Sequence, residues 1–306
     1  LERWLLAVWY GDKRWGKYLL LPLTIIFCLL STLRRWRDKR QQVKHPVPVV
    51  VVGNLTAGGT GKTPLVIWLV EQARVLGFRP GVVSRGYQRQ GHALGDEPTL
   101  IQQRTQVPLV VGRERNQAIQ QLLHYHHCDL VIADDGLQHY RMGRALEICV
   151  VDGQRRFGNG WCIPSGPLRE PIKRLRHCDV VIVNGTDMSM HGDTLVNLAT
   201  AAQQPLSQFA GQMVHVVTGI GNPQRFYQKL QQAGLRIVPH LFPDHHVFRA
   251  ADLQFGDPQP ILMTEKDAVK CREFATPQHW YLPVAAVLTS AMTQTLLTRL
   301  GNLRHG

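Results

Sequence analysis

Residues Val47–Thr63 read VPVVVVGNLTAGGTGKT, and the fold is decided there. The β-branched run Val47 to Val52 has the composition of a buried strand, and it empties into a glycine-rich turn closing on Gly61-Lys62-Thr63. Glycines let successive backbone N–H groups converge on phosphate oxygens, and a helix that follows presents the positive end of its dipole. Pro64 suits a first helical turn, and Leu65, Trp68 and Leu69 carry the helical pattern on. The context is that of a phosphate-binding loop, with Lys62 reaching the β- and γ-phosphates and the Thr63 hydroxyl on Mg²⁺. The common spacing G-x-x-x-x-G-K-[ST] has glycine where this chain has Thr56, while Gly58 and Gly59 supply flexibility elsewhere in the loop.

Outward from the loop, 306 residues with 44% hydrophobic content suffice for two modest domains and exclude a disordered chain. The net charge is +13, and residues 1–45 hold ten Lys and Arg against three acids. Those charges bracket 16 uncharged residues, YLLLPLTIIFCLLSTL, between Lys17 and Arg34. As a helix that run measures about 24 Å, short of the ~30 Å hydrocarbon core of a bilayer. Trp4, Trp9, Tyr10, Trp15, Tyr18 and Trp36 cluster around it, as amphipathic rings do at a membrane interface. No small-residue cleavage site follows, so the segment reads as an N-terminal membrane anchor or interfacial helix, not a cleaved signal. A basic segment beside an apolar run favours an anionic membrane face over nucleic acid, for which no motif is present. The six cysteines form no C-x-x-C, which suits a reducing cytosol.

Beyond the loop, apolar runs alternate with helix-length segments: Gly81 to Ser84, Val107 to Val111, Leu130 to Ala133, Ile148 to Val151 and Val180 to Val183. That rhythm predicts βαβ units and a parallel sheet covered on both faces, where ligands bind at the carboxyl ends of the strands. Asp134-Asp135-Gly136-Leu137-Gln138-His139 follows one such run, and a strand-end aspartate is what holds Mg²⁺ opposite the loop threonine. Arg155 to Pro171 forms a long turn-rich loop whose Arg155, Arg156 and Arg169 could meet phosphates. Residues from about 187 to 210 lose periodicity, and a second, smaller βα pattern follows: Val214 to Thr218, a helix to Ala233, Ile237 to Pro239, Ile261 to Thr264 and Tyr281 to Ala285. The division expected is a membrane-associated helical segment over 1–45, a P-loop domain over 46–210 and a smaller α/β domain over 211–306. Adjacent His245 and His246 lack further ligands at zinc spacing.

Taken in order, TAGGTGKTP (Thr56 to Pro64), VSRGY (Val83 to Tyr87), GDEP (Gly95 to Pro98), DDGLQHYR (Asp134 to Arg141), DGQRRFGNGW (Asp152 to Trp161), PSGPLRE (Pro164 to Glu170), FPDHH (Phe242 to His246) and TEKDAVK (Thr264 to Lys270) resemble the tetraacyldisaccharide 4'-kinase family of lipid A biosynthesis. The resemblance implies two α/β/α domains, a larger P-loop domain with an N-terminal helix and a smaller C-terminal one, and an active site between them. It implies transfer of the γ-phosphoryl group of ATP, with Mg²⁺, to the 4'-hydroxyl of an acylated glucosamine disaccharide 1-phosphate, giving lipid IVA. The enzyme would be a monomer on the cytoplasmic face of the bacterial inner membrane. By similarity, Thr56, Ala57, Gly58, Gly59, Thr60, Gly61, Lys62, Thr63, Gln138 and His139 surround the nucleotide, and Thr63, Glu97, Asp134 and Asp135 form the metal site. Asp96 is the candidate general base, supported by His245, with Lys62, Arg115 and Arg169 meeting the charge of the transferring group.

A membrane-associated P-loop ATPase switch is the alternative. Its loop carries an additional lysine, K-G-G-x-G-K-[ST], and Ala57 stands at that position here.

Overall fold

The computed structural model describes residues 2–11, 15–85, 95–244 and 246–304. Expectations placed on Gly86, Tyr87 and His245 lie outside the described residues. From the N-terminus the chain forms α1 (Glu2–Tyr10), α2 (Gly16–Leu19), α3 (Leu21–Arg40), β1 (Val49–Gly53), α4 (Lys62–Val75), β2 (Pro80–Ser84), α5 (Asp96–Thr105), β3 (Leu109–Val111), α6 (Arg115–Tyr125), β4 (Leu130–Asp134), β5 (Leu146–Asp152), β6 (Val180–Asn184) and β7 (Met188–His191). It continues through β8 (Thr194–Asn197), β9 (Gln203–Pro205), β10 (Met213–Thr218), α7 (Gln224–Gln232), β11 (Arg236–Leu241), β12 (Ile261–Thr264), α8 (Glu265–Cys271), β13 (His279–Leu282), β14 (Ala285–Leu288) and α9 (Ser290–Asn302). Two compact units result. The first comprises Leu1–Gly86, Thr105–Ser189 and Val287–Gly306, and the second Tyr87–Arg104 and Met190–Ala286.

The first unit is built on an eight-stranded sheet in the order β14-β7-β6-β5-β1-β4-β2-β3, with β1 flanked in parallel by β4 and β5. Every residue of β1 is buried, because a central parallel strand is covered on both faces; this is why its sequence is a continuous apolar run instead of an alternation. Val49, Val51, Val83, Val131, Ala133 and Cys149 fill one face of the core with Ile119 and Leu122 of α6.

The N-terminal helices dock on this unit through specific bonds. Trp9 donates its indole N–H to the Pro164 carbonyl at 2.8 Å, and the Thr24 hydroxyl meets Ser165 Oγ at 2.8 Å. Phe27 and Cys28 of α3 pack on the core, while Leu19, Leu23, Ile26, Leu30, Leu33 and Trp36 are all more than half exposed. Among the described residues no helix is long and apolar enough to cross a membrane.

The second unit carries a six-stranded sheet, β11-β10-β12-β13-β8-β9. β11, β10, β12 and β13 run parallel, and β8 and β9 complete the sheet in antiparallel fashion. Three outcomes differ from the sequence pattern. The stretch without periodicity contains β7, β8 and β9, too short to show a period of two. Tyr281 to Ala285 is divided between β13 and β14, since Pro283 lacks the N–H a continuing strand needs. The segment carrying α5 belongs, up to Arg104, with the second unit. All six cysteines are free thiols.

Candidate functional site

The loop between β1 and α4 is held in shape from several sides. Gly58 and Gly61 adopt φ of +107° and +90°, values that side chains disfavour, and Gly61 is the residue from which α4 starts. Thr56 has no such requirement: it forms an antiparallel bridge with Leu168, and Ala57 N donates to the Pro167 carbonyl at 2.8 Å. The absence of glycine at position 56 therefore has a local cause, since this part of the loop is extended and paired. The Thr60 carbonyl accepts from Asn184 Nδ2 at 3.0 Å. Gly59 is exposed, and Thr63 is half-buried in the first turn of α4.

Lys62 projects from that same turn. Its ammonium donates to Asn54 Oδ1 at 3.0 Å and stands 3.3 Å from Asp135 Oδ1. Asn54 in turn donates through Nδ2 to the Thr56 carbonyl at 2.8 Å, and its own carbonyl accepts from Gln138 Nε2 at 3.1 Å. Arg169 reaches Asp135 Oδ2 at 3.1 Å, and its backbone N–H donates to the Leu55 carbonyl. Burial by itself would raise the Asp135 pKa, but the Lys62 and Arg169 charges outweigh it and hold the carboxyl well below the usual carboxylate range. Lys62, Arg169 and Asp135 thus form a charged cluster beside the loop.

Asp134 ends β4, with Val52 of β1 opposite it in register. It is 1% exposed and accepts from the Ser84 hydroxyl at 3.2 Å. Arg115, 2% exposed, donates to the Asp134 carbonyl at 3.1 Å and to the Gly112 carbonyl. Burial lowers its pKa to about 10, against the pull of Asp134 and Asp135, so it stays charged at neutral pH. His139 is pushed down to about 4, first by burial and then by the Arg115 and Arg85 charges, which makes it a neutral imidazole. A buried carboxylate and a hydroxyl are hard oxygen donors, and Mg²⁺ takes few protein ligands, so Asp134 and Thr63 fit that ion in donor chemistry. Among the described residues no group of three or more His, Cys, Asp or Glu makes a dedicated metal cage.

Arg155 lies over the Tyr10 ring at 5.1 Å. Asp96 and Glu97 open α5 in the second unit, where Glu97 accepts from Lys266 Nζ at 3.1 Å. Sequence reasoning passed over Asn54 and Asn184 and gave Ser84 no role, although each is the polar residue at or just after the carboxyl end of an apolar run, the signal by which Asp134 was found. It also missed a buried network behind the loops. Glu147, inside β5, binds Arg174 Nη2 at 2.6 Å and Arg144 Nη1 at 2.5 Å. Arg174 Nε reaches the Tyr140 hydroxyl at 2.7 Å, and that hydroxyl donates to Glu170 Oε2 at 2.5 Å. His139 and Arg169 are the sequence neighbours of Tyr140 and Glu170, so this network fixes both site segments.

A buried parallel strand feeding such a loop, with an aspartate closing the adjacent strand, makes the first unit that of a P-loop nucleotide-binding protein. The chain belongs to the tetraacyldisaccharide-1-P 4'-kinase family, whose sequence model matches residues 16–301. The tetraacyldisaccharide 4'-kinase of Methylobacillus flagellatus is 44% identical over 99% of this chain and 97% of its own length. That of Nitrosococcus oceani is 44% identical over 97% of this chain and 94% of its own. The fold is shared with a crystal structure of LpxK from Aquifex aeolicus in complex with ATP, at a TM-score of 0.77 and 24% identity, covering 93% of this chain and 99% of the other.

Proposed function

We propose that this protein transfers the γ-phosphoryl group of ATP to the 4'-hydroxyl of tetraacyldisaccharide 1-phosphate. The observation that carries the reading is Lys62 on the first turn of α4, held against Asp135 beside a loop of phosphate-binding shape, in a chain of this kinase family. Family membership over nearly the full chain favours the kinase over an ATPase switch.

Phosphoryl transfer asks the protein mainly to position groups and neutralise charge. The N–H groups of Ala57 to Thr63 cradle the phosphates, and Lys62 moves from Asp135 to the γ-phosphate. Arg169, released in the same exchange, meets the charge of the transferring group. Arg115, buried and charged, adds to the field from behind Asp134. Gln138 and His139 flank the nucleotide, His139 as a neutral hydrogen-bonding group. Thr63 and Asp134, with Asp135 and Glu97 as further carboxylates, would hold Mg²⁺, which when bound neutralises phosphate charge. Asp96, with His245, accepts the proton of the sugar hydroxyl late in a loose transition state.

The enzyme acts as a monomer on the cytoplasmic face of the bacterial inner membrane. The exposed apolar face of α3 and its basic last turn support this placement. Because the opposite face of α3 is committed to Ser165 and the core, the helix lies in the interface instead of spanning it.

The test is label transfer from γ-labelled ATP with Mg²⁺ and tetraacyldisaccharide 1-phosphate in detergent micelles. Label in the lipid is the expected result. Label released as free phosphate with or without lipid would reject the kinase reading in favour of the ATPase.

A further inference from the structure

The TEKDAVK stretch forms the end of β12 and the start of α8. Thr264 caps the helix: its hydroxyl accepts from Asp267 N at 3.2 Å and donates to Asp267 Oδ2 at 2.7 Å. Asp267 is fully buried, and the same Oδ2 accepts from Gly219 N at 3.1 Å. Its other oxygen is 2.8 Å from Lys270 Nζ, so Asp267 fixes the lysine one helical turn on. Lys270 also has its ammonium 5.0 Å from the centroid of the Phe248 ring.

Lys266 and Lys270 are four residues apart and share a helix face. Both ammonium groups reach the first turn of α5 within the second unit. Lys266 stands 3.1 Å from Glu97 and 3.7 Å from Asp244, and Lys270 stands 3.8 Å from Asp96 Oδ2. Both lysine side chains are largely buried, and ion pairs so placed return little net stability against their desolvation. Burial would lower the Lys266 pKa, and Glu97 and Asp244 overturn that and raise it, so this ammonium stays charged. A separation of 3.8 Å exceeds hydrogen-bond distance, so Lys270 acts on the Asp96 carboxylate through its charge.

We infer that Lys270, anchored by Asp267, is a positioning residue that orients Asp96 toward the acceptor hydroxyl, with Lys266 holding the adjoining Glu97 and Asp244. The inference rests on Asp96 being the base.

The experiment measures phosphoryl transfer by the full chain with ATP, Mg²⁺ and tetraacyldisaccharide 1-phosphate. It compares wild type, Lys270→Met, Lys270→Arg, Asp96→Asn and the double variant Asp96→Asn/Lys270→Met. Lys270→Met should lower kcat ~10-fold or more while both KM values stay within about threefold. Lys270→Arg should restore most of the rate, and the double variant should be no slower than Asp96→Asn. If Lys270→Met does not melt cooperatively, Lys270→Gln, which keeps a polar group beside Asp267, should show the same split. A kcat within about threefold of wild type in the folded neutral variant, or losses that multiply in the double variant, would overturn the inference while an inert Asp96→Asn leaves the base in place. Full turnover by Asp96→Asn would remove the base and this inference together.

Discussion

The Lys62 ammonium stands 3.3 Å from the Asp135 carboxylate, a pairing that the proposed contact of the lysine with phosphate displaces. Lys62→Ala should therefore lose phosphoryl transfer by ~10³ or more, since it removes both ground-state binding and transition-state charge neutralisation. Label transfer and calorimetric ATP titration read the two losses separately. Transfer within tenfold of wild type would show that the lysine serves only Asp135.

Asp135 also makes stability depend on acid. Its folded pKa is depressed by Lys62 and Arg169, so the native state binds fewer protons than the unfolded chain as pH falls below the ordinary carboxylate value near 4. Its contribution is complete above that value and is lost progressively toward lower pH. Urea unfolding at pH 6 and pH 3 should show a smaller loss in Asp135→Asn than in wild type. Equal losses would mean that other carboxylates set the acid limb.

His139 acts in a higher window. With a folded pKa of about 4 against roughly 6.5 unfolded, only the unfolded chain gains a proton between those values, so stability falls as pH drops through them. His139→Gln should flatten the difference in unfolding free energy between pH 7 and pH 4.5. The His139 imidazole resonances should stay unshifted down to about pH 5; titration near 6.5 would contradict the burial described.

On α3, Ile26 and Leu30 are exposed and one helical turn apart. Ile26→Glu with Leu30→Glu should leave the melting temperature within a few degrees, as exposed substitutions do, and cut co-sedimentation with anionic vesicles ~10-fold or more. Unchanged sedimentation would remove α3 from the membrane contact. Deleting α3 is a poorer experiment, because it also removes the Thr24 bond to Ser165.

The Tyr140 hydroxyl bridges Glu170 and Arg174 in the network behind the site loops. Tyr140→Phe leaves a buried carboxylate short of a donor and should cost about 1–3 kcal/mol in urea unfolding. A change under about 0.5 kcal/mol would show that the Glu147, Arg144 and Arg174 contacts suffice alone.

What the sequence determined by itself is what short stretches encode in their own backbone chemistry. A run of valines can be buried on both faces, glycines can take positive φ, and an aspartate closing an apolar run lies at a strand's carboxyl end; these made the loop, the parallel sheet and the place of Asp134 at a strand end legible. The strand rhythm was readable for the same reason, except where strands of three or four residues, or Pro283, left no period to detect. Only the tertiary structure decided which distant groups meet. Glu147 and Arg174 are 27 residues apart, Lys62 and Asp135 lie on neighbouring elements, and α5 packs with a unit assembled mostly from residues beyond 189. Such pairings depend on strand order and on burial stripping water from charge, and neither is written in the spacing of residues along the chain.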